Sequence, residues 1–295
     1  VQRTRGFTGK RLTRFERKTG SFVADKLKKE KMKKTNQRQS SVATSFLRIT
    51  FAFIIAIIML ANVPSWAQDK QSNLIITTLF DNNSSNKEMK TGWGYSCLIQ
   101  GTEKTILFDV GSNDAIKNMD KLKIDPASID VLVISHDHPD HTGGMHFFSE
   151  RNSKAATFFV PSASVKICEN VFTTGAMGTD IKENALIIKT AKGLVVITGC
   201  AHPGIVEIVQ KAKQMFPKEE IYLVMGGFHL FTRDQSSIKN IVSELKKENV
   251  RKVAPSHCTG DYAESQFKEM FGADYISGDV GKPIIVEGAF IKPAK

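Results

Sequence analysis

The sequence lacks most of the features that settle a function class at a glance. There is no Gly-x-Ser-x-Gly run, which argues against a serine hydrolase built on a nucleophile elbow. The four cysteines, Cys97, Cys168, Cys200 and Cys258, match no zinc-ribbon or Cys-x-x-Cys spacing. Cys200 and Cys258 each lie within two residues of a histidine and read as small buried thiols, with a pairing between them left open. No apolar run reaches the roughly 20 residues of a membrane span. Internal repeats and low-complexity stretches are absent, which excludes solenoid and fibrous architectures. Positive charge is also missing where a nucleic-acid binder would need it. The net charge of +11 comes from the first 67 residues, which hold 15 Lys/Arg and three acidic residues. The remaining 228 residues carry 26 basic and 27 acidic side chains, a net of −1, so no nucleic-acid partner is expected.

The basic N-terminal segment has its own logic. Met32-Lys33-Lys34 opens a short basic region, an apolar run extends from Ile49 to Val63, and Pro64-Ser65-Trp66-Ala67 places small residues at −3 and −1 of a cut after Ala67. This pattern predicts a secretory signal peptide over 32–67 and a periplasmic or secreted mature protein starting at Gln68. The alternative is an uncleaved anchor, in which case the membrane is touched only through this segment. Residues 1–31 fit no targeting pattern and are expected to be untranslated or disordered. Residues 68–295 are expected to form a single domain.

Within that domain, short runs rich in β-branched residues alternate with helical patterns. Strands are predicted at 74–79, 105–108, 131–134, 157–160, 185–188, 194–197, 221–225 and 283–286. Ile205, Ile208, Val209 and Ala212 fall at helical spacing, giving a helix over 204–216 that ends near Pro217; Ile238, Ile241, Val242 and Leu245 give another over 235–249. The alternation implies a layered α/β domain whose ligands gather at strand ends. The loops 81–90 and 161–180 carry no signal of their own.

Seven histidines remain, and six of them sit at strand ends or in Gly-rich turns. His136, His138 and His141 stand with Asp137 and Asp140 in six residues directly after the Val131–Ile134 run. Imidazole and carboxylate in that density suit one or two divalent cations. His202 follows Thr198-Gly199-Cys200-Ala201, His229 follows Gly226-Gly227-Phe228, and His257 follows Lys252–Ser256. His146, one turn into the next helix, reads as a surface or structural residue.

The run His136-x-His138-x-Asp140-His141 after a strand resembles the signature of the metallo-β-lactamase superfamily. Leu107-Phe108-Asp109-Val110-Gly111 and Thr198-Gly199-Cys200-Ala201-His202-Pro203-Gly204 resemble two further motifs of that family. Gly92-Trp93-Gly94-Tyr95-Ser96, Thr173-Thr174-Gly175, Gly226-Gly227-Phe228-His229 and Ser256-His257-Cys258-Thr259-Gly260 resemble one subgroup, named for metal-dependent hydrolases and for a ribofuranosyl-aminobenzene phosphate synthase. The resemblance covers most of 74–286 and implies an α/β, four-layer αββα sandwich. It implies that His136, His138 and His202 hold one metal, that Asp140, His141 and His257 hold a second, and that Asp109 orients a ligand.

One departure stands out. The superfamily commonly places a bridging Asp between the third and last His, and the equivalent stretch here, Val224–His229, has no carboxylate. Asp234 lies five residues beyond His229, and Glu207 is poorly placed. The resemblance therefore implies either that His229 replaces the bridge or that the second site is weak. The expected cofactor is one or two divalent ions, zinc foremost, with iron or manganese as alternatives. The expected activity is hydrolysis of an ester, lactone, amide or phosphoester by metal-activated water, with Asp140 and His229 as catalytic residues acting on a small-molecule substrate. A synthase or transferase, a mononuclear iron oxidoreductase and a non-catalytic metal-binding module are the alternatives.

Overall fold

The computed structural model describes residues 71–291, together with residues 29 and 31–33. The chain divides into two units, Val1–Gln68 and Asp69–Lys295. Apart from the few residues just named, the segment 1–31 and the leader read at 32–67 lie outside the described residues. Among the described residues no helix is long and apolar enough to cross a membrane.

Two mixed six-stranded sheets form the centre. The first contains β1 (Gln71–Phe80), β2 (Ser96–Gln100), β3 (Ile106–Phe108), β4 (Val131–Ile134), β5 (Ala156–Phe159) and β12 (Pro283–Ile291), in the order β12-β1-β2-β3-β4-β5. The second contains β6 (Lys166–Cys168), β7 (Val171–Thr173), β8 (Leu186–Thr190), β9 (Gly193–Thr198), β10 (Ile221–Gly227) and β11 (Lys252–Ser256), in the order β11-β10-β9-β8-β7-β6. Strands β3-β4-β5 and β9-β10-β11 run parallel, and the other pairs are antiparallel. Among the described residues of this unit, α1 (Asn113–Lys121), α3 (Met145–Arg151), α4 (Ile205–Met215), α5 (Gln235–Lys247) and α6 (Asp261–Phe271) cover the outer faces, and α2 (Pro139–Thr142) is a single turn in the loop after β4.

The period-2 alternation of the strands distributes their side chains over three separate cores. In β4, Val131 and Val133 face the other sheet while Leu132 and Ile134 face α1 and α3. In β9, Val195 and Ile197 join the inter-sheet core and Leu194 and Val196 pack under α4 and α5. Three interfaces require four layers, which is the αββα sandwich.

Burial on both faces explains why the central strands read as continuous apolar runs rather than alternating ones. It also explains what composition hid. Ser96-Cys97-Leu98-Ile99-Gln100 has little strand character, yet Cys97 and Ile99 enter one core and Leu98 another, all fully buried. Burial at roughly 1.5–3 kcal/mol per large aliphatic side chain outweighs a propensity scale that spans only about 1 kcal/mol. The segment 161–180 likewise contributes the short hairpin β6–β7 rather than a featureless loop.

Candidate metal centre

All the loops that carry histidines open at one edge of the two sheets. The tether is backbone: His141 O accepts from Val110 N and Gly111 N at 2.9 and 3.2 Å, and Asp140 O accepts from Tyr95 N at 3.2 Å. Helix α2 is a single turn started by Pro139, with fixed φ and no N–H to lose. That turn puts Asp140 and His141 beside the strand-end residues His136 and His138. Four non-glycine residues here take left-handed backbone: Asp109 (φ 56°), Ala201 (φ 60°), His229 (φ 53°) and His257 (φ 51°). Such conformations cost of order 1–3 kcal/mol each and collect at functional sites.

The side chains fall into overlapping sets. Ligand atoms of His136, His138 and His202 lie within 4.8 Å of one another, as do those of Asp140, His141, Cys200 and His257 and those of Cys200, His202 and His229. His136 Nε2 stands 3.1 Å from His138 Nδ1, and His141 Nε2 stands 3.2 Å from His257 Nε2. Asp140 Oδ2 is 3.3 Å from His257 Nε2 and 3.6 Å from His141 Nε2.

Hydrogen-bond accounting shows which way the lone pairs point. Ser135 Oγ is 2.7 Å from Asp109 Oδ2 and 2.8 Å from His136 Nδ1. An ionised carboxylate only accepts, so the Ser135 hydroxyl donates to Asp109 and accepts from His136 Nδ1–H. His141 Nδ1–H donates to Asp109 Oδ2 at 2.7 Å, and His202 Nδ1–H donates to Glu183 Oε2 at 2.8 Å. Each ring is left with Nε2 unprotonated and aimed inward. Ring nitrogens gathered this closely, with the outer nitrogens of His136, His141 and His202 committed to Ser135, Asp109 and Glu183, are placed to share a cation. The donor set therefore fits a metal, and the outer partners Ser135, Asp109 and Glu183 orient the rings as such partners do in metal sites.

Electrostatics agree with that arrangement. Burial and the neighbouring His141 push His136 down to about 3, so it stays neutral as a ligand must. Burial and His202 also lower His138. Glu183 is fully buried, which alone would raise it, but hydrogen bonds from His202 and the backbone hold it at about 2. Burial likewise works against Asp140, yet the hydrogen bond from His257 holds it below the ordinary carboxylate range.

Every histidine and aspartate read from the sequence as a ligand or catalytic group, namely His136, His138, Asp140, His141, His202, His229 and His257, is brought into this cluster. His146 is not; it is exposed and pairs with Glu150 at 3.3 Å. Asp234 caps α5, accepting from Ser236 N and Ser237 N at 3.0 Å, and so cannot bridge metals. Glu207 lies on the first turn of α4 against Gly204. Cys200 and Cys258 are both buried free thiols.

Sequence reasoning missed three contributors. Glu183 accepts from the backbone N–H of Cys200, Ala201 and His202 at 2.9, 2.8 and 2.8 Å, and its neighbour Asn184 donates through Nδ2 to Ile134 O and Ser135 O at 2.8 and 3.1 Å. One Glu-Asn pair thus ties together both ligand loops. Asp81 Oδ1 accepts from His257 N at 2.9 Å and Asn82 Nδ2 donates to His257 O at 2.9 Å, so the loop that looked uninformative holds the left-handed His257 backbone. Cys200 enters the ligand set itself. Glu-Asn next to Ala185–Ile188 was the available signal, since two polar residues buried at a strand entrance need partners.

Two cavities border the cluster. A cleft of about 690 Å³ is lined by Asp137, His138, Phe159, Asp180 and Lys182 among others, and one of about 360 Å³ by His202, His229, Arg233 and Asn240 among others. Trp93, 53% exposed, packs edge-on against Phe231 at 5.2 Å and against the His257 ring at 4.9 Å.

Comparison with known proteins agrees with this geometry. The family model described as the metallo-beta-lactamase superfamily matches residues 92–156. A 7,8-dihydropterin-6-methyl-4-(beta-D-ribofuranosyl)-aminobenzene-5'-phosphate synthase of Methanocaldococcus jannaschii is 29% identical, over 73% of this chain and 97% of that protein. The crystal structure of Tm1679, a metal-dependent hydrolase of the beta-lactamase superfamily, superposes with a TM-score of 0.63 and 28% identity, covering 72% of this chain and 99% of that one. The metallo-beta-lactamase fold protein YhfI of Bacillus subtilis, 12% identical with a TM-score of 0.54 over 73% of this chain and 100% of its own, shares the fold. With the sandwich, the strand-end histidines and their outer carboxylates in place, the chain has the metallo-β-lactamase fold, resembles members of that superfamily and is a metal-dependent enzyme of that fold.

Proposed function

We propose that this protein is a metal-dependent hydrolase acting on an ester, lactone, amide or phosphoester of a small molecule. The observation that carries the reading is the junction of the inward-facing nitrogens with an open cleft: His138 belongs both to the first ligand set and to the wall of the 690 Å³ cavity. Similarity to a metal-dependent hydrolase over nearly its whole length supports it. His136, His138 and His202 would hold one ion, and Asp140, His141 and His257 would hold a second. When bound, such ions polarise a carbonyl or phosphoryl oxygen and acidify water.

The chain's own residues do the rest. Asp140, kept ionised by its neighbours, orients water as a hydrogen-bond acceptor while supplying negative charge. His229 lies with its ring 4.5 Å from that of His202, and its buried Nδ1 has no hydrogen-bond partner among the described residues. Its ring lines the 360 Å³ cavity, where it can donate to a substrate oxygen. Trp93 packs on the His257 ring and Phe231 on Trp93, an apolar surface beside the ligand cluster.

Turnover of a panel of phosphodiester, lactone, ester and β-lactam compounds tests the reading. Metal-dependent hydrolysis of at least one class is expected, with kcat reduced in His229→Ala at unchanged metal content. Absence of any hydrolysis by the metal-loaded protein would oppose it. A second reading, a synthase or transferase, is supported by the 29% identity to the M. jannaschii synthase. Product formation that requires an added acceptor other than water would favour it. Export rests on the leader pattern alone, and N-terminal sequencing of protein from its native cell should begin at Gln68.

A further inference from the structure

The metal-centre reading leaves one charge problem. Two dications at a short separation repel strongly and need anionic ligands. Of the residues read as ligands only Asp140 is an anion, and Val224–His229 has no carboxylate to offer. The structure places a different group there. Cys200 follows the end of β9 and is buried, with Sγ 3.2 Å from His141 Nε2 and 3.3 Å from His257 Nε2. The same sulfur lies within 4.8 Å of ligand atoms of Asp140 on one side and of His202 and His229 on the other.

A neutral thiol has one proton, and two ring nitrogens approach this sulfur at nearly equal distance. One of them, His141 Nε2, already carries an inward lone pair because Nδ1–H is committed to Asp109. Ligand atoms around one tetrahedral zinc ion stand roughly 3.3–3.6 Å apart, given bonds of about 2.0–2.3 Å. The observed 3.2 and 3.3 Å lie just below that range and at its lower limit, close enough for a small shift to admit the ion. The loop is also built rather than adventitious: Glu183 fixes the backbone N–H of Cys200 and of the two residues after it.

We propose that Cys200, as a thiolate, is a ligand of the second metal together with Asp140, His141 and His257, and stands on the side of that site facing His202 and His229. The proposal rests on the metal-centre reading above and deepens it. Ligation breaks the S–H bond, forms a sulfur–metal bond and releases one proton to solvent, with no change of oxidation state. Asp140 and Cys200 together then bring two negative charges to the second ion. That removes the reason to expect a weak second site, and the soft sulfur favours zinc or cobalt over manganese or magnesium. Cys258, whose Sγ lies 3.6 Å from Cys200 O, is the neighbour that does not ligate.

Cobalt(II) decides the matter, because thiolate ligation gives an intense near-ultraviolet sulfur-to-cobalt charge-transfer band that nitrogen and oxygen ligands do not. The full chain is stripped with chelator under reductant and reloaded with cobalt. The expected result is two ions per chain with the band present. Cys200→Ser should lose the band and bind the second ion more weakly, by at least the roughly 10- to 100-fold that loss of a ligand's outer partner costs. Cys258→Ser should keep the band. Two bound cobalt ions without the band in the wild type would remove Cys200 while leaving the metal centre standing. A band that survives Cys200→Ser, or is lost only in Cys258→Ser, would also overturn the assignment. A chain that binds no cobalt would overturn the metal-centre reading and this one together.

Discussion

At the scale of single residues, the centre depends on groups that touch no metal. Glu183 is the clearest. It is fully buried, holds four hydrogen bonds to 200–202, and fixes the His202 ring through Nδ1. Glu183→Gln keeps the size but removes the charge and turns an amide NH₂ toward backbone donors. Metal affinity at the first site should fall about 10- to 100-fold, measured by competition with a chromogenic chelator. Unchanged affinity would show that His202 is oriented some other way. The six ligand positions were legible in the sequence because their chemistry is local: His-x-His-x-Asp-His compresses four of them into one turn. Glu183, Asp81 and Cys200 were not, because nothing near them in sequence reveals the partner. Asp81 and His257 are 176 residues apart.

At the scale of elements, the geometry rests on how closely strand ends approach. Gly199, just past β9, sits where a Cβ would come within 2.1 Å of Ser135 Oγ and 2.9 Å of Asp109 Oδ2. Only a residue without a side chain lets β9 and β4 deliver their histidines to one place. Gly199→Ala should therefore displace the Ser135–Asp109 pair that orients His136 and His141. Weaker metal binding at both sites and a lower Tm are expected, read by elemental analysis and calorimetry. A variant with wild-type metal content would refute the close-approach argument. Most of the elements were legible: β4 matches its predicted bounds, and α4 and α5 match within two residues at each end. The exceptions have a common cause. β2 carries Ser, Cys and Gln, and α1 buries only Ala115, Ile116, Asn118 and Met119 on an otherwise polar helix. Both are held by burial against neighbours distant in sequence rather than by pattern.

At the scale of the molecule, stability and metal binding are linked. Glu264 on α6 offers a test away from the ligands. Burial, with the charges of Asp81 and Asp261, raises it from 4.5 to about 7. Its folded value lies above its unfolded one, so the fold prefers the protonated form. This stability is fully present below 4.5 and is lost as pH rises through about 7. Glu264→Gln should raise Tm above about pH 8 and leave it nearly unchanged below about pH 5. Equal shifts at both ends would show that the carboxyl is not the cause. The four-layer sandwich itself followed from the resemblance. The strand and helix pattern alone reached only a layered α/β domain, since how many layers form depends on which face each side chain joins.

Strand-end histidines, with their lone pairs turned inward by outer hydrogen bonds, make this chain a metal protein. The metal-to-chain ratio tests it most directly, by elemental analysis of protein purified without added metal and again after zinc reconstitution, beside the His136→Ala/His138→Ala variant. The wild type should take up two zinc ions per chain, and the double variant should lose the ion assigned to His136, His138 and His202 while remaining folded. A wild type that holds no metal after reconstitution, or a double variant with the full wild-type complement, would contradict it.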